Sequence, residues 1–445
     1  MRRVLTFLLI FSVLLIPMPA FAEEDAGAWA LGVLDQLANG DFETVYENSD
    51  VAMQDALGSA DGMASVWAQL TNMLGALEDT QVVETGEQSG YRLVSVQCAF
   101  ANADALLALA FDAQGHLSSL GLTSMTARNT GDEADADGYI EEAVVLRAGQ
   151  DDATNGLLTL PEGESPFPAV VMVHGSGASD LNETAYANAP FRDLAHGLAR
   201  LGVASIRYDK YTYAHPEMCM DADFTVDDEY TRDAVEAAAL LAKDARIGDI
   251  YLLGHSQGAM LGPRIMGAIR EEVGDRLQGG VLLAGSPLPM WEIQYHQNLE
   301  VLSTLTGDVL EENRALVEAE VEKVDTLAGL SDAELQKQTL FGINAYYQMD
   351  EMRVDTVQTA VSIGLPLFIA QGGKDWQVRP VDGIEAWQEE LPEEFDATYK
   401  LYQNMNHMLA DLEGEMTGTA ADYMDADAHV SETLIGDIAA WINER

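Results

Sequence analysis

Cysteine is nearly absent: among 445 residues only Cys98 and Cys219 carry a thiol, which excludes a fold stapled by disulfides. The two lie in regions of different sequence character, and two buried free thiols are expected rather than a bridge. No cysteine–histidine cluster has zinc-ligand spacing, so no metal is expected. Basic residues are scarce as well. Against 74 acidic side chains stand 23 lysines and arginines, a formal net charge of −51. That field repels phosphate backbones and anionic lipid, which excludes nucleic acid as a partner. A solvated surface on an exported protein accounts for the acidity; adaptation to a habitat or a cationic substrate would leave the same signature. What is present is globular: 48% of the residues are apolar, and the length points to two or more domains.

Arg2 and Arg3, the apolar residues 4–16 and the small-x-small triplet Ala20-Phe21-Ala22 read as a cleavable export signal over residues 1–22. The uncharged stretch 4–22 is almost long enough to act instead as a membrane anchor. Pro17, Pro19 and the triplet favour removal, so the expected address is secreted or cell-envelope, without stable membrane insertion after cleavage.

From residue 26 to about 39, Trp29, Leu31, Leu34 and Leu37 recur at helical spacing, and two further helices are predicted to about Leu77. Between residues 81 and 122 the pattern turns to strands, with Val94, Val96, Cys98 and Phe100 on one face and a tight turn at 112–115. Helices followed by antiparallel strands make residues 23–128 a small α+β domain. Residues 129–138, polar and aperiodic, read as a linker. Beyond it, apolar runs at 169–174, 203–209, 250–256, 280–285 and 365–373 alternate with amphipathic helices. This predicts a mainly parallel sheet covered on both faces over residues 139–445. Residues 287–363 break the alternation. Helical periodicity, with Ser331 as a cap and Glu334 three residues on, predicts a helical cap inserted between two strands.

Gly254-His255-Ser256-Gln257-Gly258 matches G-x-S-x-G between a strand and a helix. The glycines suit a sharp strand-to-helix turn where side chains would collide, and the turn presents Ser256 as a nucleophile. A serine hydroxyl needs a base within hydrogen-bond reach. With the order serine, acid, histidine, three of the eight histidines remain: His296, His407 and His429. His296 falls in the cap and His429 opens the last helix, whereas His407 lies in a loop after the strand 398–402 and is the predicted base. Asp375, just past Gln371-Gly372-Gly373-Lys374 at a strand end, is the predicted acid that fixes the imidazole tautomer. Its rival Asp382 reads as a helix cap. The run His174-Gly175-Ser176-Gly177 follows a strand and reads as an oxyanion loop, with an amide from Gly175, Ser176 or Gly177 joining that of Gln257. Asp209, in Arg207-Tyr208-Asp209-Lys210, either orients that loop or forms an ion pair at a strand end. Met218, Met220, Trp291, Tyr295, Tyr346 and Tyr347 either line an acyl pocket or are simple core.

Together these motifs make residues 140–445 resemble the α/β-hydrolase superfamily, in particular bacterial esterases and acyl hydrolases related to dienelactone hydrolase and the acyl-CoA thioesterase/bile-acid acyltransferase branch. Ala178-Ser179-Asp180 departs from relatives that carry proline and a more basic run there. Residues 26–127 resemble a small domain, cone-shaped like nuclear transport factor, that precedes such esterases. The resemblance implies an α/β-hydrolase sheet with a helical cap behind a small α+β domain. It also implies a carboxylesterase that cleaves a small-molecule ester through an acyl-enzyme, without cofactor. A prolyl-type peptidase or thioesterase would use the same residues, and a non-enzymatic envelope binding module is the alternative of a different class.

Overall fold

The computed structural model describes residues 24–88, 91–101, 103–127, 138–216, 219, 221–303, 306–425 and 427–445; the export segment 1–22 and residues 129–137 of the linker lie outside the described residues. The chain divides into two compact units, 1–134 and 135–445.

The first unit opens with a helix over Glu24–Ala38, followed by Phe42–Glu47, Val51–Leu57 and Ala60–Leu74. Three helices thus stand where two were expected, because Gly58 turns left-handed (φ 73°) and ends one helix while Ser59 caps the next. A four-stranded antiparallel meander follows: β1 (Leu77–Gln88), β2 (Tyr91–Phe100), β3 (Ala103–Phe111) and β4 (Leu117–Ala127). Val94, Val96, Cys98 and Phe100 alternate into a core shared with Leu34 and Leu37 of the first helix. Burial pushes the Cys98 thiol up to about 12, which makes it inert. Cys219 likewise forms no disulfide, but it is only partly buried, and its thiol donates to the carbonyl of His215 at 3.4 Å.

The second unit contains β5 (Tyr139–Leu146), β6 (Thr154–Pro161), β7 (Phe167–Val173), β8 (Ala204–Tyr208), β9 (Ile247–His255), β10 (Leu277–Leu283), the short β11 (Thr339–Leu340) and β12 (Ile343–Asn344), β13 (Leu367–Gly372) and β14 (Ala397–Tyr402). Eight of them form one sheet in the order β14-β13-β10-β9-β7-β8-β6-β5. From β14 to β8 all neighbours are parallel, while β6 is antiparallel to both of its neighbours. The alternation of strand and helix forces this, since each parallel neighbour needs a crossover long enough to hold a helix. Each face then carries its own core. Val171 and Val173 pack with Ala234, Ala238 and Ile265 from helices Arg232–Lys243 and Gly262–Val273. Val170 and Met172 pack with Phe191, Leu198 and Ile438 from helices Pro190–Arg200 and Glu432–Asn443. At roughly 1.5–3 kcal/mol per buried aliphatic side chain, the two cores make this sheet the rigid frame of the unit. β5 and β6 escape the sequence reading; β5 is an edge strand with Ile140 and Val145 exposed, so no buried run marks it, whereas β6 is largely buried and its burial does not explain the miss.

The chain passes from β7 to β8 on one side and then crosses to β9 on the other side of β7. The carboxyl ends of β7 and β9 therefore sit side by side at a switch point, where a doubly covered sheet opens a crevice. Between β10 and β13 the chain leaves the sheet through helices Met290–Ser303, Asp308–Leu327, Asp332–Leu335 and Ala345–Met352 and the β11–β12 hairpin. Leu327, Leu335, Leu340, Ala345 and Met349 give this insertion its own small core, with Trp291 and Tyr346 packed on it. Ser331 and Glu334 form the expected reciprocal cap. The last helix of the stretch, Thr356–Ile363, buries Ala360 in the core of the sheet, so the inserted cap ends before it. No described helix is long and apolar enough to cross a membrane.

Candidate active site

β9 ends by driving Ser256 into a left-handed conformation, φ 51° and ψ −118°, which a side-chain-bearing residue adopts only when its surroundings enforce it. They do so through two glycines. A Cβ on Gly254 would lie 2.3 Å from the carbonyl oxygen of Gly258, and one on Gly258 would lie 2.3 Å from that of Val173 and 2.4 Å from that of His174. The chain crosses itself where only hydrogen atoms fit, and the helical turn that follows begins at Gln257.

His407 and Asp375 arrive from the loops after β14 and β13. His407 Nε2 lies 3.0 Å from Ser256 Oγ, and Nδ1 lies 2.8 Å from Asp375 Oδ2. The base loop is braced by Asn406, whose side chain donates to the carbonyl of Asp422 and accepts the N–H of Ala410, each at 3.2 Å. Asp375 Oδ1 accepts the N–H groups of Gln377 and Val378, each at 2.9 Å, and Oδ2 accepts Gln371 Nε2 at 2.7 Å. With both oxygens occupied as acceptors, Asp375 keeps the proton of His407 on Nδ1 and leaves Nε2 free to accept one from serine. Asp375→Asn should therefore lower kcat by about 10⁴-fold with little change in melting temperature, measured by ester turnover and circular dichroism on one preparation.

The rival residues lie elsewhere. His429 is exposed and pairs with Asp193 at 3.0 Å, and His296 pairs with Asp382 at 3.0 Å. Asp382 is not a helix cap: the helix Ile384–Glu390 begins after Gly383, and Asp382 instead holds Arg379 at 2.6 Å. Tyr295 packs at a tilt against His296, ring centroids 5.6 Å apart, while Met218 and Met220 lie outside the described residues.

Among the proposed oxyanion amides, Gly175 needs correction. Its N–H is committed to Glu183 Oε1 at 2.5 Å, so it has no donor to offer a reacting oxygen. Among the described residues the N–H groups of Ser176, Gly177 and Gln257 donate to no protein acceptor. Gly175 matters for its shape: a Cβ there would stand 3.1 Å from that of Ser256. Asp209 reaches only the far part of this loop, accepting the N–H of Leu181 at 2.9 Å. Lys210 is what grips it. Its buried ammonium donates to the carbonyls of Gly175 and Gly177, each at 2.8 Å, and pairs with Glu229 at 2.7 Å. Tyr230 adds a bond to Gln257 Oε1 at 2.8 Å, and Tyr347 of the cap donates to Glu229 Oε2 at 2.6 Å. Sequence reasoning missed Lys210, Glu229, Tyr230, Glu183 and His255 as site residues. Only Lys210, which closes the Arg207–Lys210 motif, and His255, inside the serine motif, carried any signal.

Glu351 of the cap accepts the N–H of Met290 at 2.8 Å with one oxygen; the other is buried without a partner among the described residues. Burial outweighs the Met290 amide and Arg264 and pushes its carboxyl up to about 7. The unfolded chain loses this proton near pH ~4.3 and the folded chain keeps it to higher pH, so the stability it contributes falls as pH rises through that window. Glu351→Gln should be neutral near pH 4 and stabilising by on the order of 2 kcal/mol at pH 8, read from urea titrations at both values.

Comparison with known proteins places this geometry in context. A family model described as serine aminopeptidase, S33, matches residues 164–414, and one described as a protein of unknown function matches residues 30–120. Esterase EstD of Thermotoga maritima is 27% identical over 427 residues, covering 94% of this chain and 97% of that protein. Among solved structures, Est1E from Butyrivibrio proteoclasticus is similar with a TM-score of 0.41 and 15% identity, over 68% of this chain and 99% of that one. An esterase from Pyrococcus furiosus is similar with a TM-score of 0.40 and 14% identity, over 69% and 91%.

Proposed function

The chain belongs to the α/β-hydrolase family described as serine aminopeptidase, S33, and we propose that within it this protein is a carboxylesterase working through an acyl-enzyme on Ser256. His407 Nε2 takes the hydroxyl proton as Ser256 Oγ attacks the ester carbonyl, and Asp375 stabilises the imidazolium that forms. The carbonyl oxygen becomes an oxyanion that the amides of Gln257 and of Ser176 or Gly177 receive. Collapse expels the alkoxide, which takes its proton from His407. Water, activated by the same imidazole, then hydrolyses the acyl-enzyme and restores Ser256.

The observation that carries this reading is the unbroken series Ser256–His407–Asp375 at 3.0 and 2.8 Å behind a strained serine turn. Likeness to EstD across both units supports an ester as substrate, with short or medium acyl groups the first to try. The family description favours a second reading, release of an amino-terminal residue from a peptide. Hydrolysis of p-nitrophenyl esters of graded chain length, run beside aminoacyl-p-nitroanilides, separates the two: ester turnover is expected, and turnover of the anilides alone would overturn it. The reading includes export on residues 1–22, with residues 23–128 forming a separate small domain; the amino terminus of secreted protein, sequenced by mass spectrometry, should be Glu23.

A further inference from the structure

Behind Ser256 lies a buried charged pair that the hydrolytic steps do not use. Glu183 is held at φ 53°, a left-handed conformation costly for a residue with a side chain, and only 5% of its surface is exposed. One of its oxygens accepts the Gly175 N–H at 2.5 Å, and the other lies 3.0 Å from His255 Nδ1. His255, also buried, places Nε2 2.9 Å from the main-chain oxygen of His407. Nε2 of His255 faces a carbonyl, which calls for a proton there, while Nδ1 lies at ion-pair distance from the carboxylate without the alignment of a hydrogen bond. The groups around the pair agree with this. Burial lowers the His255 pKa, yet Glu183, the His407 carbonyl and Asp375 outweigh it and raise it overall. On the other side, burial raises the Glu183 carboxyl, but His255, His174 and the Gly175 amide hold it below its ordinary range. His174 is itself lowered to about 4 by burial, so of the two histidines beside Glu183 it is His255 that is held toward its protonated form.

We infer that Glu183 and His255 are positioning residues that clamp the oxyanion loop to the base loop, fixing Ser176, Gly177 and His407 relative to Ser256. The connection runs from the Gly175 N–H through the Glu183 carboxylate and the His255 ring to the His407 carbonyl, its outer links hydrogen bonds and its middle link an ion-pair contact at 3.0 Å. It passes through the residue immediately before Ser256, so the parts of the site that must agree to a fraction of an ångström share one frame. Stability alone does not explain it, because a buried ion pair is commonly no more stabilising than apolar side chains of the same volume. Its geometric effect is large, since displacing a reacting group by about 1 Å costs on the order of 10²-fold in rate.

The inference rests on the reading of Ser256 and His407 as nucleophile and base, and its test separates the two. Full-length wild type, Glu183→Gln and Glu183→Ala are assayed for kcat and KM on p-nitrophenyl butyrate, with active sites counted by exhaustive fluorophosphonate labelling. Glutamine keeps an acceptor for the Gly175 amide but loses the charge; alanine loses both. Per labelled site, Glu183→Ala should lose about 10²-fold in kcat with KM within about threefold, and Glu183→Gln should recover most of that loss. A folded Glu183→Ala with wild-type kcat would overturn the clamp. Should alanine prevent folding, the glutamine variant and ¹⁵N spectra of the histidine rings decide. The His255 ring should hold its second proton to higher pH in wild type than in Glu183→Gln, and identical titration of the ring in the two proteins would overturn the pair. Wild type that neither turns over ester nor takes the label would refute the hydrolase reading itself, and with it the role given to the clamp.

Discussion

Replacing His407 with alanine should reduce turnover of an activated ester by about 10⁵–10⁶-fold while leaving the melting temperature within a few degrees. The size follows from how the three side chains work as a unit: without a base at 3.0 Å the Ser256 hydroxyl keeps its proton, and what remains is the modest catalysis of binding and oxyanion contacts. The loss is expected in kcat rather than KM, since the imidazole acts on the reacting proton and not on the resting substrate. His429→Ala is the matched control. That ring is exposed and, among the described residues, pairs with Asp193, so its removal should change kcat by less than about twofold. Steady-state kinetics on the two variants beside wild type checks both statements, and the opposite ranking would move the base to residue 429.

The second large effect concerns the turn that aims the nucleophile. Gly258→Ala would put a Cβ 2.3 Å from the main-chain oxygen of Val173 and 2.4 Å from that of His174, and neither backbone can retreat without tearing β7 from the sheet. A destabilisation on the order of 3–5 kcal/mol is expected, seen as a lower urea midpoint or as insoluble protein. Gly436→Ala supplies the contrast, because a Cβ there meets nothing within 4 Å and the position lies in the helix Glu432–Asn443. That change should stabilise by up to about 1 kcal/mol. Equal midpoints for the two variants would mean that the close crossing is not as tight as described.

The central strands were legible because each is buried on both faces and so reads as a short unbroken apolar run. Val170 to Val173 and Ile250 to Leu253 are examples. β5 was illegible for the converse reason: an edge strand with Ile140 and Val145 in solvent has no such run. The approach of Ser256, His407 and Asp375 to one another, at 3.0 and 2.8 Å, was legible because local sequence reports each one's place, a serine between glycines or a polar residue just past a strand. Glu183 and Lys210 were not, since their meaning depends on which backbone groups the folded loops bring to them. Gly175 was misjudged for the same reason. Sequence showed an amide at the right place but not the carboxylate that occupies it.

The most direct measurement is mass spectrometry of the full-length protein after reaction with a fluorophosphonate, followed by peptide mapping. One adduct is expected, on the peptide containing Ser256, and none on Ser256→Ala under the same conditions. An adduct on a different serine, or equal labelling of the alanine variant, would contradict the assignment of Ser256 as the nucleophile.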